Sequence, residues 1–349
     1  MDEPEIICEA RGQAGLVTLN RPRALNALTH GMVRAFRRAL DAWENDPAVT
    51  RIVVTAAGER AFCAGGDIRM LYEAGKAGRH DEALAFWRDE YLLNIRIKRY
   101  AKPVVALVDG IVMGGGVGLS LHGSHLVAGD RFLFAMPEVG IGFFPDVGAT
   151  YALPRLAGFV GTYLALTGAR IGPDDALALG LATHLVPSGD LGRLERDLVE
   201  GRPIGDALAA GRTTRGGPVA AERETIEACF SAADLASILA RLDEAAGRGS
   251  AFAAETARTM RGKAPSSLSI AAEQMRRGGD LGFEAAMDIE FRIVSRICRG
   301  HDFYEGVRAT IVDKDGAPRW RPATLADVDP NWIGGHFATL GPDELGAAA

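Results

Sequence analysis

The strongest constraint on the fold is a local pattern that occurs twice: an apolar, β-branched run, then a glycine turn, then a helix. The first copy runs from Arg51–Ala56 to Cys63-Ala64-Gly65-Gly66-Asp67-Ile68, with a helix expected to follow. The second runs from Pro103–Val108 through Gly110 and Gly114-Gly115-Gly116 into Val117–His122. Strand–turn–helix units of this kind predict an α/β core. Upstream, Glu5–Ala10 and Leu16–Asn20 read as strands. Thr29 reads as the N-cap of a helix reaching about Glu44, with Met32, Phe36, Leu40 and Trp43 on one face. His125–Ala128 and Phe132–Phe134 read as further strands, and Asp81–Arg99, Thr150–Leu166 and Pro173–Gly180 as helices. Glycine and proline accumulate over residues 187–218, which reads as a linker. Beyond it the chain reads as helical to about Arg299. Thr310–Arg321 reads as a short strand or turn, and the last ten residues as frayed.

Composition narrows the function classes. The net charge is -6 and the pI near 5.7, which argues against a nucleic-acid partner. No apolar run approaches the roughly 20 residues that a membrane helix needs. The acidic start Met1-Asp2-Glu3-Pro4-Glu5 reads as neither a signal nor a transit peptide. Four dispersed cysteines, Cys8, Cys63, Cys229 and Cys298, predict a reducing compartment, and a cytoplasmic location is expected.

Both glycine turns could carry chemistry. Glycine lets backbone approach a ligand closely, and a helix start gathers free N–H groups and partial positive charge. Two such turns can aim two donors at one developing oxyanion. They can equally serve strand–helix packing alone. Neither matches a phosphate-binding fingerprint, and no G-x-S-x-G or H-E-x-x-H is present. Cys63 lies beside the first turn with no histidine near it in sequence, so it reads as a buried packing residue.

The third feature is Met136-Pro137-Glu138-Val139-Gly140-Ile141-Gly142-Phe143-Phe144-Pro145-Asp146-Val147-Gly148. It sets two carboxylates among apolar residues that a solvated loop has no use for. A carboxylate in such surroundings has a raised pKa and can act as acid, base or nucleophile. Asp146 could instead cap the helix that follows it.

Taken together, these stretches resemble the crotonase (enoyl-CoA hydratase/isomerase) superfamily. The resemblance rests on Asn20-Arg21-Pro22-Arg23-Ala24-Leu25-Asn26-Ala27-Leu28, Phe62–Ile68, Gly110–Gly116 and Met136–Gly140, in the expected order. A hydrolase branch of the superfamily is resembled by Ala64–Arg69, Met113–Ser120, Phe134–Gly148 and Arg299–Ala309. Asp313-Lys314-Asp315 and Pro318-Arg319-Trp320 add to that likeness. It extends over nearly the whole chain.

The resemblance implies an α/β fold: a crotonase (ClpP-like) spiral of ββα units over residues 1–200. Residues 201–349 would form a helical region packing over the core or a neighbouring subunit, which leaves room for a homo-oligomer. The implied partner is an acyl-CoA, with no cofactor or metal beyond the CoA of the substrate. Gly66 and Gly115 match the oxyanion-hole positions, and Glu138 and Asp146 the hydrolase carboxylates. Glu90 matches a substrate-contacting position. Arg23, Ala24, Leu25, Asp67 and Ile68 match the cradle of the CoA nucleotide.

One departure bears on function. Hydratases of the superfamily carry a glutamate where this chain has Gly118, and usually a glycine where it has Asp146. Glu138 matches their second glutamate. Syn addition of water needs an acid and a base around the double bond, so the resemblance points to hydrolysis of a short 3-hydroxyacyl-CoA thioester. Glu138 would attack the carbonyl or activate water, and Asp146 would hold the 3-hydroxyl or orient water.

Overall fold

The structure is a computed structural model, and residues 3–347 are described. Met1 and Asp2 of the acidic N-terminal stretch, and Ala348 and Ala349 of the expected frayed end, lie outside that range. The chain forms two compact units, neither of them one continuous stretch. The first comprises Met1–Asp67, Asp89–Ala135 and Ile171–Ala220. The second comprises Ile68–Arg88, Met136–Arg170 and Ala221–Ala349.

Among the described residues, the first unit holds nine strands. Six form one sheet in the order β1 (Ile6–Arg11), β2 (Ala14–Leu19), β3 (Arg51–Ala56), β5 (Val104–Val108), β7 (His125–Ala128) and β9 (His184–Leu185). Three short strands, β4 (Ala61–Cys63), β6 (Ile111–Met113) and β8 (Leu133–Ala135), form a second sheet in that order. Among these nine strands, β1 and β2 pair antiparallel with each other and the remaining strand-to-strand ladders are parallel. From β3 onward consecutive strands alternate between the two sheets, and each β3–β4, β5–β6 and β7–β8 pair is one turn of a spiral. The registers Val53↔Val105 and Ile111↔Leu133 stack successive turns directly.

The central strands read as unbroken apolar runs because both of their faces are covered. One face packs Leu16, Val53, Val105, Leu107 and Val127 against Leu194, Leu198, Val199 and Leu208. Those last residues lie on the helices Leu191–Val199 and Ile204–Leu208, within the stretch that reads as a linker in sequence. Leu191, Leu194 and Leu198 recur at helical spacing, and that periodicity outweighs the flanking glycines and prolines. The helix His30–Glu44 is capped as expected: Met32 N–H donates to Thr29 Oγ1 at 3.3 Å, and Met32, Phe36, Leu40 and Trp43 are buried.

In the second unit, the expected single helix over Thr150–Leu166 is broken into short pieces. Gly158 and Phe159 have φ of 70° and 57°, and only Val160–Thr167 forms a helix of two turns. Left-handed residues stop the hydrogen-bond ladder there. The tail forms no strand: Arg308–Val312 is a π-helical turn running on from the helix Asp302–Val307. Two long amphipathic helices, Pro265–Gly278 and Phe283–Ile297, supply much of this unit's core.

Candidate active site

The first unit brings the two glycine turns together. Leu28 forms a parallel bridge with Gly66: its N–H donates to the Gly65 carbonyl at 2.8 Å, and its carbonyl accepts from Asp67 N–H at 2.9 Å. Along extended backbone successive N–H groups alternate sides, so this bridge turns the Gly66 amide away from Leu28. Gly115 opens the helix Gly115–Ser120, where the first N–H has no partner within the helix. A Cβ on Gly115 would lie 3.4 Å from the Gly66 nitrogen and 2.4 Å from Glu90 Oε1. Only glycine fits at 115, and the three sequence-predicted residues Gly66, Gly115 and Glu90 share one locus. Glu90 is buried there.

The Asn20–Leu28 segment is held by a residue that motif matching does not single out. Asn26 is fully buried; its amide donates to the Ala57 and Ala61 carbonyls at 2.9 and 3.0 Å, and its oxygen accepts from Arg21 N–H at 2.8 Å. These bonds pin the turn through Arg23, Ala24 and Leu25, where Leu25 has φ of 51°. Asp67 is ion-paired with Arg21 at 3.2 Å. Ile68 begins the helix Ile68–Lys76 in the second unit. Cys63 is buried, and desolvation pushes its thiol up to about 12, which suits packing and not nucleophilic attack.

The second unit holds both carboxylates. Glu138 opens a short 3-10 turn, Glu138–Ile141, closed by left-handed Gly142. Its backbone carbonyl accepts from Phe143 N–H at 3.0 Å, and Val139 O accepts from Ala264 N–H at 3.2 Å. The apolar residues of the loop are structural: Phe143 stacks on Trp87 with centroids 5.6 Å apart and packs on Phe303 at 5.4 Å. Glu138 is 7% exposed, and among the described residues its Oε2 has no hydrogen-bond partner. Burial, and then the charge of Asp146, hold its carboxyl well above the usual carboxylate range. A buried acceptor left open in this way is costly unless a ligand or water fills it.

Asp146 is 5% exposed, and the helical turn that follows it is entered at Gly148. Three successive amides there are taken by other groups. Gly148 N–H and Thr150 N–H donate to Glu290 Oε2 and Oε1 at 2.8 and 2.9 Å, and Ala149 N–H donates to the Asp146 backbone carbonyl at 3.0 Å. Glu290 is fully buried. Burial first and the Asp146 charge second push its carboxyl up to about 8, against the lowering pull of the Gly148 and Thr150 hydrogen bonds. Gln274, also fully buried, donates from Nε2 to the Pro145 carbonyl at 2.5 Å and to Thr150 Oγ1 at 2.6 Å.

Sequence motifs do not single out Glu290 or Gln274. The available signal was periodicity: Glu290 shares the apolar stripe of Phe283, Met287, Val294 and Ile297, and Gln274 that of Ala271, Met275 and Gly278. A carboxylate or amide in a core stripe is rare unless it is paired.

Chemically, the first unit offers two backbone donors beside a buried glutamate, and the second two buried carboxylates, of which Glu138 has its proton affinity raised by burial and then by the Asp146 charge. Among the described residues, no group of three or more His, Cys, Asp or Glu side chains could hold a metal ion.

The family model for enoyl-CoA hydratase/isomerase proteins matches residues 14–337. A curated relative from Danio rerio, "3-hydroxyisobutyryl-CoA hydrolase, mitochondrial", is 44% identical over 98% of this chain and 91% of its own length. The protein of the same name from Homo sapiens is 42% identical over 98% of this chain and 90% of its own. Among solved structures, a carnitinyl-CoA dehydratase from Mycobacterium thermoresistibile matches with a TM-score of 0.93 at 41% identity, covering 99% of this chain and 100% of its own. An enoyl-CoA hydratase from Rhodobacter sphaeroides 2.4.1 matches at 0.92 and 40%, covering 98% and 99%.

Proposed function

The chain belongs to the enoyl-CoA hydratase/isomerase family, and from that premise we propose that it is an acyl-CoA thioester hydrolase. Its substrate in this reading is a short 3-hydroxyacyl-CoA, (S)-3-hydroxyisobutyryl-CoA, cleaved to 3-hydroxyisobutyrate and CoA. The observation that carries the reading is the buried Glu138–Asp146 pair in a chain whose hydratase glutamate position is Gly118. The relatives named as 3-hydroxyisobutyryl-CoA hydrolases support the choice of substrate. A role in valine breakdown follows from that substrate.

The proposed roles are these. The Gly66 and Gly115 amides donate to the thioester oxygen, and those bonds strengthen as negative charge develops on it; loss of one such donor costs about 3–4 kcal/mol. Glu138 in its ionised form attacks the carbonyl carbon and expels CoA as the thiolate, and water then cleaves the mixed anhydride. Alternatively, Glu138 takes the proton of an attacking water. Asp146 holds the 3-hydroxyl or orients that water, and Glu90 assists in binding. Arg23, Ala24, Leu25, Asp67 and Ile68 receive the CoA nucleotide.

The solved relatives named as a dehydratase and a hydratase favour a second reading, reversible hydration of an enoyl-CoA. Against it stands Gly118, which leaves one carboxylate of the acid–base pair missing. The deciding experiment follows free-thiol release from (S)-3-hydroxyisobutyryl-CoA and hydration of crotonyl-CoA in parallel. Thiol release without hydration is expected; hydration without thiol release would overturn the proposal.

All four cysteines, Cys8, Cys63, Cys229 and Cys298, are free thiols, which fits a reducing compartment. The cytoplasm is the proposed location, and the mitochondrial relatives lend it no support. No helix among the described residues is long and apolar enough to cross a membrane.

A further inference from the structure

Asp146 lies inside a bracket of buried polar groups that belong to no motif. On its N-terminal side, Gln274 Nε2 holds the Pro145 carbonyl; on its C-terminal side, the Glu290 carboxyl holds the Gly148 and Thr150 amides. Thr150 Oγ1 joins the two arms: it accepts from Gln274 at 2.6 Å and hydrogen-bonds the Glu290 carboxyl. The orientation of the Gln274 amide follows from its partners, since a flipped amide would set oxygen against the Pro145 carbonyl oxygen.

Between the arms the backbone is strained. Val147, a β-branched residue, has φ of 53°, and Gly148 has φ of 89°. A non-glycine residue in the left-handed region costs about 1–3 kcal/mol and persists only where its surroundings over-determine it. The hydrogen bonds that Glu290 and Gln274 make with Pro145, Gly148 and Thr150 do so here.

We propose that Glu290 and Gln274, joined through Thr150, are positioning residues for Asp146: they fix the Pro145–Thr150 backbone from which its side chain projects. The inference deepens the hydrolase reading and rests on it for the role of Asp146. Neither residue touches the reacting atoms; both act through Asp146.

A double-mutant cycle on the full chain tests this. Glu290→Gln keeps the shape of the side chain but turns an NH2 group toward one of the two amides. The expected result on (S)-3-hydroxyisobutyryl-CoA is a fall in kcat of up to about 10²-fold, the scale of a misplacement near 1 Å, with KM changed far less. Because Glu290 acts through Asp146, Glu290→Gln/Asp146→Asn should lose no more than Asp146→Asn alone. Multiplying losses would overturn the proposal. Thr150→Val, nearly isosteric, carries the same test should Glu290→Gln fold poorly.

A second readout needs no turnover. The Gly148 and Thr150 amides should exchange hydrogen faster in Glu290→Gln than in wild type, and at the wild-type rate in Asp146→Asn. Unchanged exchange in Glu290→Gln would overturn the clamp. Absence of thiol release in the wild type would instead overturn the hydrolase reading, and amide exchange would still decide the clamp.

Discussion

Replacing Glu290 with glutamine should change stability in opposite directions at low and high pH. In the fold the carboxyl is pushed from its ordinary value near 4.5 up to about 8, by burial and then by the charge of Asp146. Below about pH 4.5 it is protonated in both the folded and unfolded chain, and its contribution to stability is fully present. As pH rises, the unfolded chain releases this proton first. The folded chain then holds the extra proton, and stability falls until the folded group also ionises near pH 8. At 1.36 kcal/mol per pH unit, this removes about 3–4 kcal/mol between pH 5 and pH 8. Glutamine does not titrate, so the variant keeps that energy. It loses one of two good hydrogen bonds to buried amides, about 1–3 kcal/mol at every pH. Urea unfolding at pH 5 and pH 8 measures the difference directly. Glu290→Gln should be less stable than wild type at pH 5 and equal or more stable at pH 8, with the difference shifting by about 3–4 kcal/mol. A difference independent of pH would refute the reasoning. It would mean that the hydrogen bonds from Gly148 and Thr150 outweigh burial and keep Glu290 ionised.

Glu138→Gln should abolish thiol release while acyl-CoA binding, followed by calorimetry, survives; near-wild-type turnover would remove Glu138 from the mechanism. In wild type, kcat/KM should rise with pH as Glu138 loses its proton, along a limb above the ordinary carboxylate range. Asp146→Asn, which removes a neighbouring negative charge, should move that limb to lower pH. Asp146→Asn should also slow hydroxylated acyl-CoA thioesters far more than plain ones, and equal losses would make its role general. Gly115→Ala puts a Cβ 2.4 Å from Glu90 Oε1 and 2.9 Å from Leu28 Cδ1. It should cost about 1–3 kcal/mol of stability, seen as a lower urea midpoint, and at least about 10²-fold in kcat.

The parts legible in sequence were those set by local chemistry. Thr29 before an amphipathic run marks its helix start, and the β-branched runs at 51–56 and 104–108 are the buried strands they resemble. Gly66 and Gly115 fall in motifs whose spacing survives folding. The misread segments were decided by tertiary packing. Residues 187–218 carry linker-like composition, yet three leucines at helical spacing bind them to the large sheet. Thr150–Leu166 has helical periodicity, but left-handed Gly158 and Phe159 divide it. Asp146 reads as the cap of its own helix, yet the Gly148 and Thr150 amides bond Glu290, 142 residues from Gly148. No local window contains both residues.

That separation also has a meaning in time. A ribosome adding about 5–20 residues per second makes the Asp146 loop roughly 7–28 s before Glu290. Gln274 is 129 residues from Pro145 and is also synthesised long after it. Until Gln274 is made the strained Val147 turn has neither of its anchors, while the strands of the described residues, the last of which ends at Leu185, are complete early. The nascent protein thus acquires its scaffold first and its carboxylate geometry last, so a chain whose synthesis stops before residue 290 carries Asp146 without the group that shapes its loop.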